Sequence, residues 1–500
     1  MVENQLYYGD NLEILRKYIK DETIDLIYLD PPFNSQATYN VLFAEPNGEG
    51  GAKSKSQIEA FNDFWSWDSE VQKTYQYLTT ESNKVPYRVS KIIEALHSFL
   101  GENDMCAYLV MMTVRLIELH RVLKETGSLY LHCNTVASHY LKLVLDAVFG
   151  KENFINEIVW CYTGPRKSPK AFAKKHDTIF FYSKTENYTF KEQRIPHKSG
   201  VHNTGQVFGS DAEGDIALQE EMEKKGKVLE DWWIDIWSTD RYRNELLGYP
   251  TQKPLALLER IILASSNPND IILDPFCGCG TTIDAVEKVN KEQKTNRTWI
   301  GIDITHLAIN LIKRRITDKY PTVKFEVFGE PKDLGGAKEL ARNDRYQFEW
   351  WALSLVDARP INDKKKGSDK GIDGIILLNK TAYSKQPEIT KVIVQVKSGH
   401  VKSGDVRDLK GVLDREKAEF GLFLTLENPS SDMQKEAVSK GFIKAPITGE
   451  QIPKIQILTI KELLDGARPK VLFLNVSYQK AEEIENQQKL PKKGRQKSMR

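Results

Sequence analysis

Five hundred residues, 40% hydrophobic and 28% charged with a formal charge of +2, read as an ordinary soluble chain of about three domains. No apolar run reaches the roughly eighteen residues of a membrane span, and the opening MVENQLYYGDN lacks the basic-then-apolar order of a secretion signal. Cys106, Cys133, Cys161, Cys277 and Cys279 are odd in number and lack zinc-type spacing, which predicts a reduced cytoplasmic protein, and the near-neutral charge leaves nucleic-acid binding to local patches.

Leu6 to Tyr8 predicts a short strand, Gly9-Asp10-Asn11 a turn, and Leu12, Leu15, Tyr18 and Ile19 an amphipathic helix. Next comes DLIYLDPPFNS, residues 25–35. Leu26 to Leu29 are too few for a helix and apolar enough for a buried strand. That strand must end at Asp30, because Pro31 and Pro32 can neither donate to a ladder nor continue a helical turn. An acid at the carboxyl end of a buried strand, followed by two prolines and Phe33, forms a cup at the edge where open α/β sheets bind ligands. A planar amine suits it. Asp30 and the Pro31 carbonyl can accept its two hydrogens while Phe33 stacks on its ring. Residues 37–87 read as irregular, with a Gly-rich piece at 47–52 and a cluster of Phe61, Phe64, Trp65 and Trp67. They are either a loop that orders on a ligand or a small satellite core.

Helical spacing returns over residues 105–123, closed by Lys124 and Gly127, and Ser128 to His132 reads as another buried strand. His132 and Cys133 at its end read as satisfied edge residues rather than a site. A helix over 138–149 and strands over 157–162 and 178–182 follow, so the class is α/β with a parallel, doubly wound sheet. Periodicity fades over 184–248. That charged region ends in Trp232, Trp233, Trp237 and Tyr242, interleaved with Arg241 and Arg243, which suits phosphate contact and base stacking. A solvated insertion is the alternative.

Thr251-Gln252-Lys253-Pro254 then opens a helix over 255–265, and IILDPFCGCGTT, residues 271–282, is strand, tight glycine turn and helix start. About twenty residues on, Trp299 to Asp303 is a strand ending in an acid, the spacing of a nucleoside site. Its glycines let the backbone approach a ligand, and the acid can take two ribose hydroxyls. There is no G-x-G-x-x-G and no helix-start lysine, so a sugar without a pyrophosphate is preferred.

In this order, Asp30-Pro31-Pro32-Phe33, Thr251-Gln252-Lys253-Pro254 and Asp274 through Thr282 resemble the β class of DNA amino-methyltransferases over roughly residues 1–325. Cys279 departs from the serine common at that place, and it is small enough for the turn. The resemblance implies a Rossmann-like doubly wound methyltransferase sheet with an inserted target-recognition region, and S-adenosylmethionine as cofactor. Asp303 would hold the ribose, Phe276, Gly278 and Gly280 would line the cofactor, and Lys253 would meet its carboxylate. Gln252, Asp274 and Thr281 join that set, with Asp10 a further candidate. Asp30, Pro31, Pro32 and Phe33 would act on a base flipped out of double-stranded DNA. Asp at position 30, where cytosine-amine enzymes often carry Ser, favours adenine, with the cytosine amine the alternative.

In the last third, Phe348 to Leu353 opens a helix, GSDKGIDG at 367–374 turns into a strand over 375–378, and Val392 to Lys397 is a further strand. A helix over 403–417 and a strand over 420–426 follow. Gln395 and Lys397 share one strand face. This resembles the PD-(D/E)XK nucleases in their methyl-directed restriction branch, with Gln for the second acid, and so implies a smaller α/β restriction-endonuclease-like domain. Glu349, Asp373, Gln395 and Lys397 would be its active set, with Glu349 and Asp373 holding Mg2+. The alternative is a fold kept only for DNA binding. The expected division is 1–183 for the catalytic half, 184–248 for target recognition and 249–328 for the cofactor half. Residues 340–480 would be the nuclease-like domain and 481–500 a basic disordered tail. The expected function is restriction-modification: an adenine-specific DNA methyltransferase with a fused endonuclease, acting on double-stranded DNA, with a homodimer the candidate assembly. A modification subunit, or a DNA-binding regulator with an inactive nuclease-like domain, are the rivals.

Overall fold

The computed structural model describes residues 3–32, 38–44, 55–62, 65–81, 84–162, 170–195, 227–242, 245–247, 249, 251–361, 371–379, 389–444, 449–471 and 474–475. The expected tail at 481–500 lies outside them. In chain order the first part gives β1 (Asn4–Tyr8), α1 (Asn11–Tyr18), β2 (Ile24–Leu29), β3 (Thr38–Ala44), β4 (Lys55–Asn62), α2 (Ser69–Thr80), α3 (Tyr87–Leu100) and α4 (Asp104–Val122). Then come β5 (Leu123–Cys133), α5 (Ser138–Phe149), β6 (Phe154–Cys161), β7 (His176–Ser183), β8 (Arg194–Ile195), β9 (Lys227–Val228) and β10 (Trp232–Trp233). After them stand α6 (Leu255–Ser265), β11 (Ile271–Asp274), α7 (Thr281–Gln293), β12 (Thr298–Asp303), α8 (His306–Lys319) and β13 (Phe325–Phe328).

Among the described residues nine of these strands form one sheet in the order β10-β6-β7-β5-β2-β11-β12-β1-β13. β2 and β11 are neighbours at its centre, and Leu26, Ile27 and Leu29 are fully buried, as a strand covered on both faces requires. Helices α1 to α5 pack on one face, while α6, α7 and α8 pack on the other, so the sheet is doubly wound. β7 departs from the expected parallel sheet: it runs antiparallel to both β5 and β6. β6 and β7 join at one end, where Cys161 pairs with His176, as an antiparallel pair does.

Two other expectations are corrected. The described parts of residues 37–87 are not irregular: β3 pairs antiparallel with β4, and α2 is capped by Asp68, whose carboxylate accepts from Glu70 N and Val71 N at 2.9 Å. The Gly-rich connection hid the period-two alternation of Tyr39, Val41 and Phe43. Lys124 and Gly127 do not close a helix either. Both lie inside β5, where Lys124 Nζ meets both oxygens of Asp25 at 2.8 Å.

A buried ionic knot ties α7 to α8. Asp284, 2% exposed, receives Arg315 Nη2 and Lys319 Nζ at 2.6 Å and Tyr320 OH at 2.7 Å. Burial alone would push this carboxyl up, but Arg315, then Lys319 and Tyr320, hold it below the ordinary range. Asp284→Ala strands two cations and should destabilise by about 3–5 kcal/mol at neutral pH. Its contribution is present above the unfolded carboxyl value and is lost as pH falls through the lower folded one. Urea midpoints at pH 7 should therefore differ between Asp284→Ala and the natural chain, and converge in acid.

The last part gives α9 (Leu334–Asn343), α10 (Arg345–Ser354), β14 (Arg359–Pro360), β15 (Gly374–Asn379), β16 (Ile389–Lys397), α11 (Ser403–Glu416) and β17 (Phe420–Thr425). It ends with α12 (Ser431–Val438), β18 (Phe442–Lys444), β19 (Gln451–Pro453), β20 (Ile455–Thr459), α13 (Ile460–Leu464) and β21 (Leu474–Asn475). A second, smaller sheet runs β14-β15-β16-β17-β20, with β21 against β15. α10 begins before Phe348, at an Asp344 cap whose carboxylate accepts from Tyr346 N at 2.9 Å.

Candidate active site

A cavity of about 420 Å³ opens at the carboxyl ends of β2, β11 and β12, where the chain returns to the sheet centre and the connections diverge. Asp30, Pro31 and Pro32 stand on one wall; Asp274 to Cys279, Thr281 and Asp303 form the other. The first and last motifs, more than two hundred residues apart, are thus brought to one crevice. Phe33 lies outside the described residues.

The glycine turn is shaped by close packing. Gly278 (φ 48°) and Gly280 (φ 75°) are left-handed, and a Cβ at Gly280 would meet Ile312 Cγ1 at 2.7 Å. Gly278 N donates to Asp303 Oδ2 at 2.9 Å, and Thr305 N and Oγ1 both donate to Oδ1 at 2.9 Å. Burial pushes the Asp303 carboxyl up to about 6 against those donors. Asp274 is also buried and pushed up to about 7; its oxygens accept from Thr282 Oγ1 at 2.5 Å and Phe276 N at 3.1 Å, so it braces the turn. Thr281 Oγ1 lies 3.6 Å from Cys279 Sγ, and the cysteine fits where a serine was expected.

Across the crevice, Lys253 Nζ lies 2.5 Å from Asp30 Oδ2, and the lysine is 8% exposed. This ammonium, expected to meet a ligand carboxylate, is engaged by the acid of the cup. Asp30 Oδ1 is buried and, among the described residues, has no hydrogen-bond partner. A buried carboxylate oxygen left unmatched on a cavity wall is an acceptor awaiting a donor. Gln252 lines the cavity but spends its amide on the loop, Oε1 accepting from Leu247 N at 2.9 Å and Nε2 donating to Glu245 O at 2.7 Å. Asp10 likewise caps α1 through Leu12 N at 2.8 Å and pairs with Arg115 Nη2 at 2.7 Å.

Arg115, Tyr249 and Ile304 line the cavity and were missed in the sequence. Arg115 had a signal, a lone charge in the apolar stretch 105–117. Ile304, 60% exposed beside Asp303, offers an apolar surface to a flat ring. His132 is satisfied as expected, with Nδ1 2.9 Å from Tyr28 OH and Nε2 3.3 Å from Asp177.

In the smaller sheet, Asp373 stands opposite Gln395. Asp373 N donates to Val394 O at 3.0 Å, and Val396 N donates to Asp373 Oδ2 at 2.7 Å. Gln395 is buried, gives Nε2 to Gly371 O, and among the described residues leaves Oε1 buried without a partner. Lys397 shares that face by strand alternation. Glu349 is carried by α10. Its helix packs Phe348, Trp351 and Ala352 against Val394 and Val396, on the opposite face of β16. Among the described residues no three His, Cys, Asp or Glu side chains gather as a metal site. One acid and an unmatched amide oxygen fit a weakly held divalent ion.

Residues 24–314 match a family model described as DNA methylase, and residues 340–464 match one described as restriction endonuclease. The chain is 25% identical over 371 residues to the type II methyltransferase M.EcaI of Enterobacter cloacae, covering 63% of this chain and 70% of that one. It is 28% identical over 331 residues to the DNA adenine methyltransferase YhdJ of Escherichia coli, covering 62% and 82%. With the type II methyltransferase M.HpaI of Haemophilus parainfluenzae it shares 31% identity over 241 residues, covering 47% and 67%.

Proposed function

Because the chain belongs to the DNA methylase family and carries a restriction-endonuclease domain, we propose that it transfers a methyl group from S-adenosylmethionine to the exocyclic amine of adenine in double-stranded DNA. The second domain, in this reading, cuts DNA with a divalent ion, and the protein works in the cytoplasm with its five cysteines free. The observation that carries it is the unmatched Asp30 Oδ1 on the wall of the crevice that also holds the glycine turn and Asp303.

The residues fit the cofactor: an apolar surface at Ile304, a close backbone approach at Gly278 and an acid for two hydroxyls at Asp303. When bound, S-adenosylmethionine supplies a methyl group on a sulfonium. The chain supplies the rest. Asp30 Oδ1 and the Pro31 carbonyl accept the two hydrogens of the base amine, which favours a pyramidal nitrogen with its lone pair aimed at the methyl. Catalysis is then positioning and electrostatics, without a covalent enzyme intermediate. Adenine is supported by Asp at position 30 and by the adenine methyltransferase relative. A binding-only regulator has no use for that cup.

The test is purified chain, labelled cofactor and mixed-sequence DNA, followed by sequencing of the modified bases. N6-methyladenine at one sequence is expected. No transfer to any DNA overturns the enzyme, and N4-methylcytosine alone moves the assignment to cytosine.

The Asp303 carboxyl adds a pH signature. A ribose needs the ionised acceptor, so cofactor affinity should be flat above about pH 7 and fall about tenfold per unit below the raised value near 6. Calorimetry from pH 5 to 8 checks it. Asp303→Asn should bind weakly with little slope; a slope unchanged in Asp303→Asn would assign the titration to Asp274 instead.

A further inference from the structure

We propose that Phe172 is the wedge that enters the DNA stack when the target base leaves it, with Lys170, Lys174 and Lys175 holding the flanking phosphates. The proposal rests on the methyltransferase reading above and names a residue that it lacks. Phe172 is 101% exposed, the extreme among the exposed large hydrophobic residues. It stands in the link that runs into β7, between exposed Lys170 and Lys174, and the link is closed by Tyr162 N donating to Lys175 O at 3.0 Å.

The topology decides where that link lies. β5 runs parallel to β2, so Cys133 and Asp30 emerge at the same edge of the sheet. β7 is antiparallel to β5, pairing Thr178 with Cys133, so its first residues stand at that edge too. β6 is antiparallel to β7, and Cys161 pairs with His176, so β6 ends there as well. Phe172 therefore projects from the same edge as Asp30. β7 and β6 are two and three strands from β2, which at the usual strand spacing puts the root of the link about 10–14 Å from the cup.

That offset matches the task. A flipped nucleotide turns about its backbone out of a duplex whose major groove is ~8.5 Å deep, so stack and pocket lie on the order of 10 Å apart. The vacated space is flat, apolar on both sides and bordered by phosphates. An aromatic ring flanked by lysines is its complement, and side chains of this kind open base steps elsewhere. Among the described residues Phe172 belongs to none of the hydrophobic core clusters. Phe172 acts by holding the base out; it touches neither the amine nor the cofactor, and is a positioning residue.

The test uses the full chain, its own target sequence and two duplexes, one fully paired and one with an abasic site opposite the target base. On paired DNA, Phe172→Ala should lower kcat/KM for methyl transfer at least tenfold, while Phe172→Trp stays close to the natural chain. On the abasic-opposed duplex, where the base is already unpaired, Phe172→Ala should come within about threefold of the natural chain, since extrusion is easier from an unpaired position. Equal loss on both duplexes would make Phe172 structural, and no loss on paired DNA would remove it from extrusion; either overturns the proposal. If the natural chain transfers to neither duplex, the methyltransferase reading itself falls, and the wedge with it.

Discussion

Asp30→Ala should lower methyl transfer about a thousandfold while leaving cofactor affinity nearly intact, the scale seen when one group aimed at a reacting centre is removed. Asp30 uses one carboxylate oxygen on Lys253, 2.5 Å away, and leaves Oδ1 buried and unmatched. The lysine thus fixes the carboxylate rotamer, and the free oxygen is presented to the cavity. Alanine removes the acceptor and strands a lysine only 8% exposed, so some stability is lost as well. Asp303→Ala should show the opposite pattern, since that carboxylate faces the cofactor half. It loses one or two charge-assisted hydrogen bonds, about 1.5–3 kcal/mol each, from binding. Calorimetry with the cofactor and single-turnover transfer on both variants separate the two roles. Equal loss of cofactor affinity in both would undo the division.

The parts of this site legible in the sequence were those fixed by backbone chemistry. Two prolines after a buried strand can only end it, and two left-handed glycines before a helix can only make a turn, so Asp30 and the 274–282 segment fell where the covalent structure puts them. Contacts set by the third dimension were not legible. Nothing in Thr251-Gln252-Lys253-Pro254 tells that Lys253 meets Asp30, 223 positions away, or that Gln252 spends its amide on Glu245 and Leu247. Arg115 went unnoticed, and Asp10 and Asn11, more than a hundred positions away, lie against it. The antiparallel β7 was missed for a related reason. Strand direction depends on how the chain returns to the sheet, and the expected alternation of helix and strand carried no information about it. That single reversal places Phe172 at the catalytic edge.

The nuclease-like domain gives the other large effect. Cleavage should require magnesium or manganese, fall at least about a hundredfold in Asp373→Ala and Lys397→Ala, and leave methyl transfer unchanged in both. The reasoning is local. Asp373 is held to β16 by Val396 N at 2.7 Å and faces Gln395, whose Oε1 is buried and unmatched. A divalent ion there would supply a Lewis acid and an activated water, with Lys397 supporting the attacking oxygen. Gln395 is neutral, so the site carries one fewer negative charge than a two-acid version. Weak metal binding follows, and millimolar ion should be needed. Gln395→Glu should tighten the ion by restoring the missing charge.

A nuclease joined to a methyltransferase must distinguish sites by methylation, or it destroys the DNA it shares a cell with. α10 is built to touch both halves. It carries Glu349, it gives Phe348 and Trp351 to the core of the second domain, and its Trp350 packs with Tyr249 and Cys279, which line the cofactor cavity. Gln347 Oε1 also accepts from His306 N at 3.0 Å, three residues beyond Asp303. Cutting should therefore differ among unmethylated, half-methylated and fully methylated copies of the one target. Trp350→Ala should weaken that difference more than it weakens cutting itself. Identical cleavage of the three copies by the natural chain would refute the coupling, and no cleavage of any target with either ion would leave the domain a DNA-binding remnant.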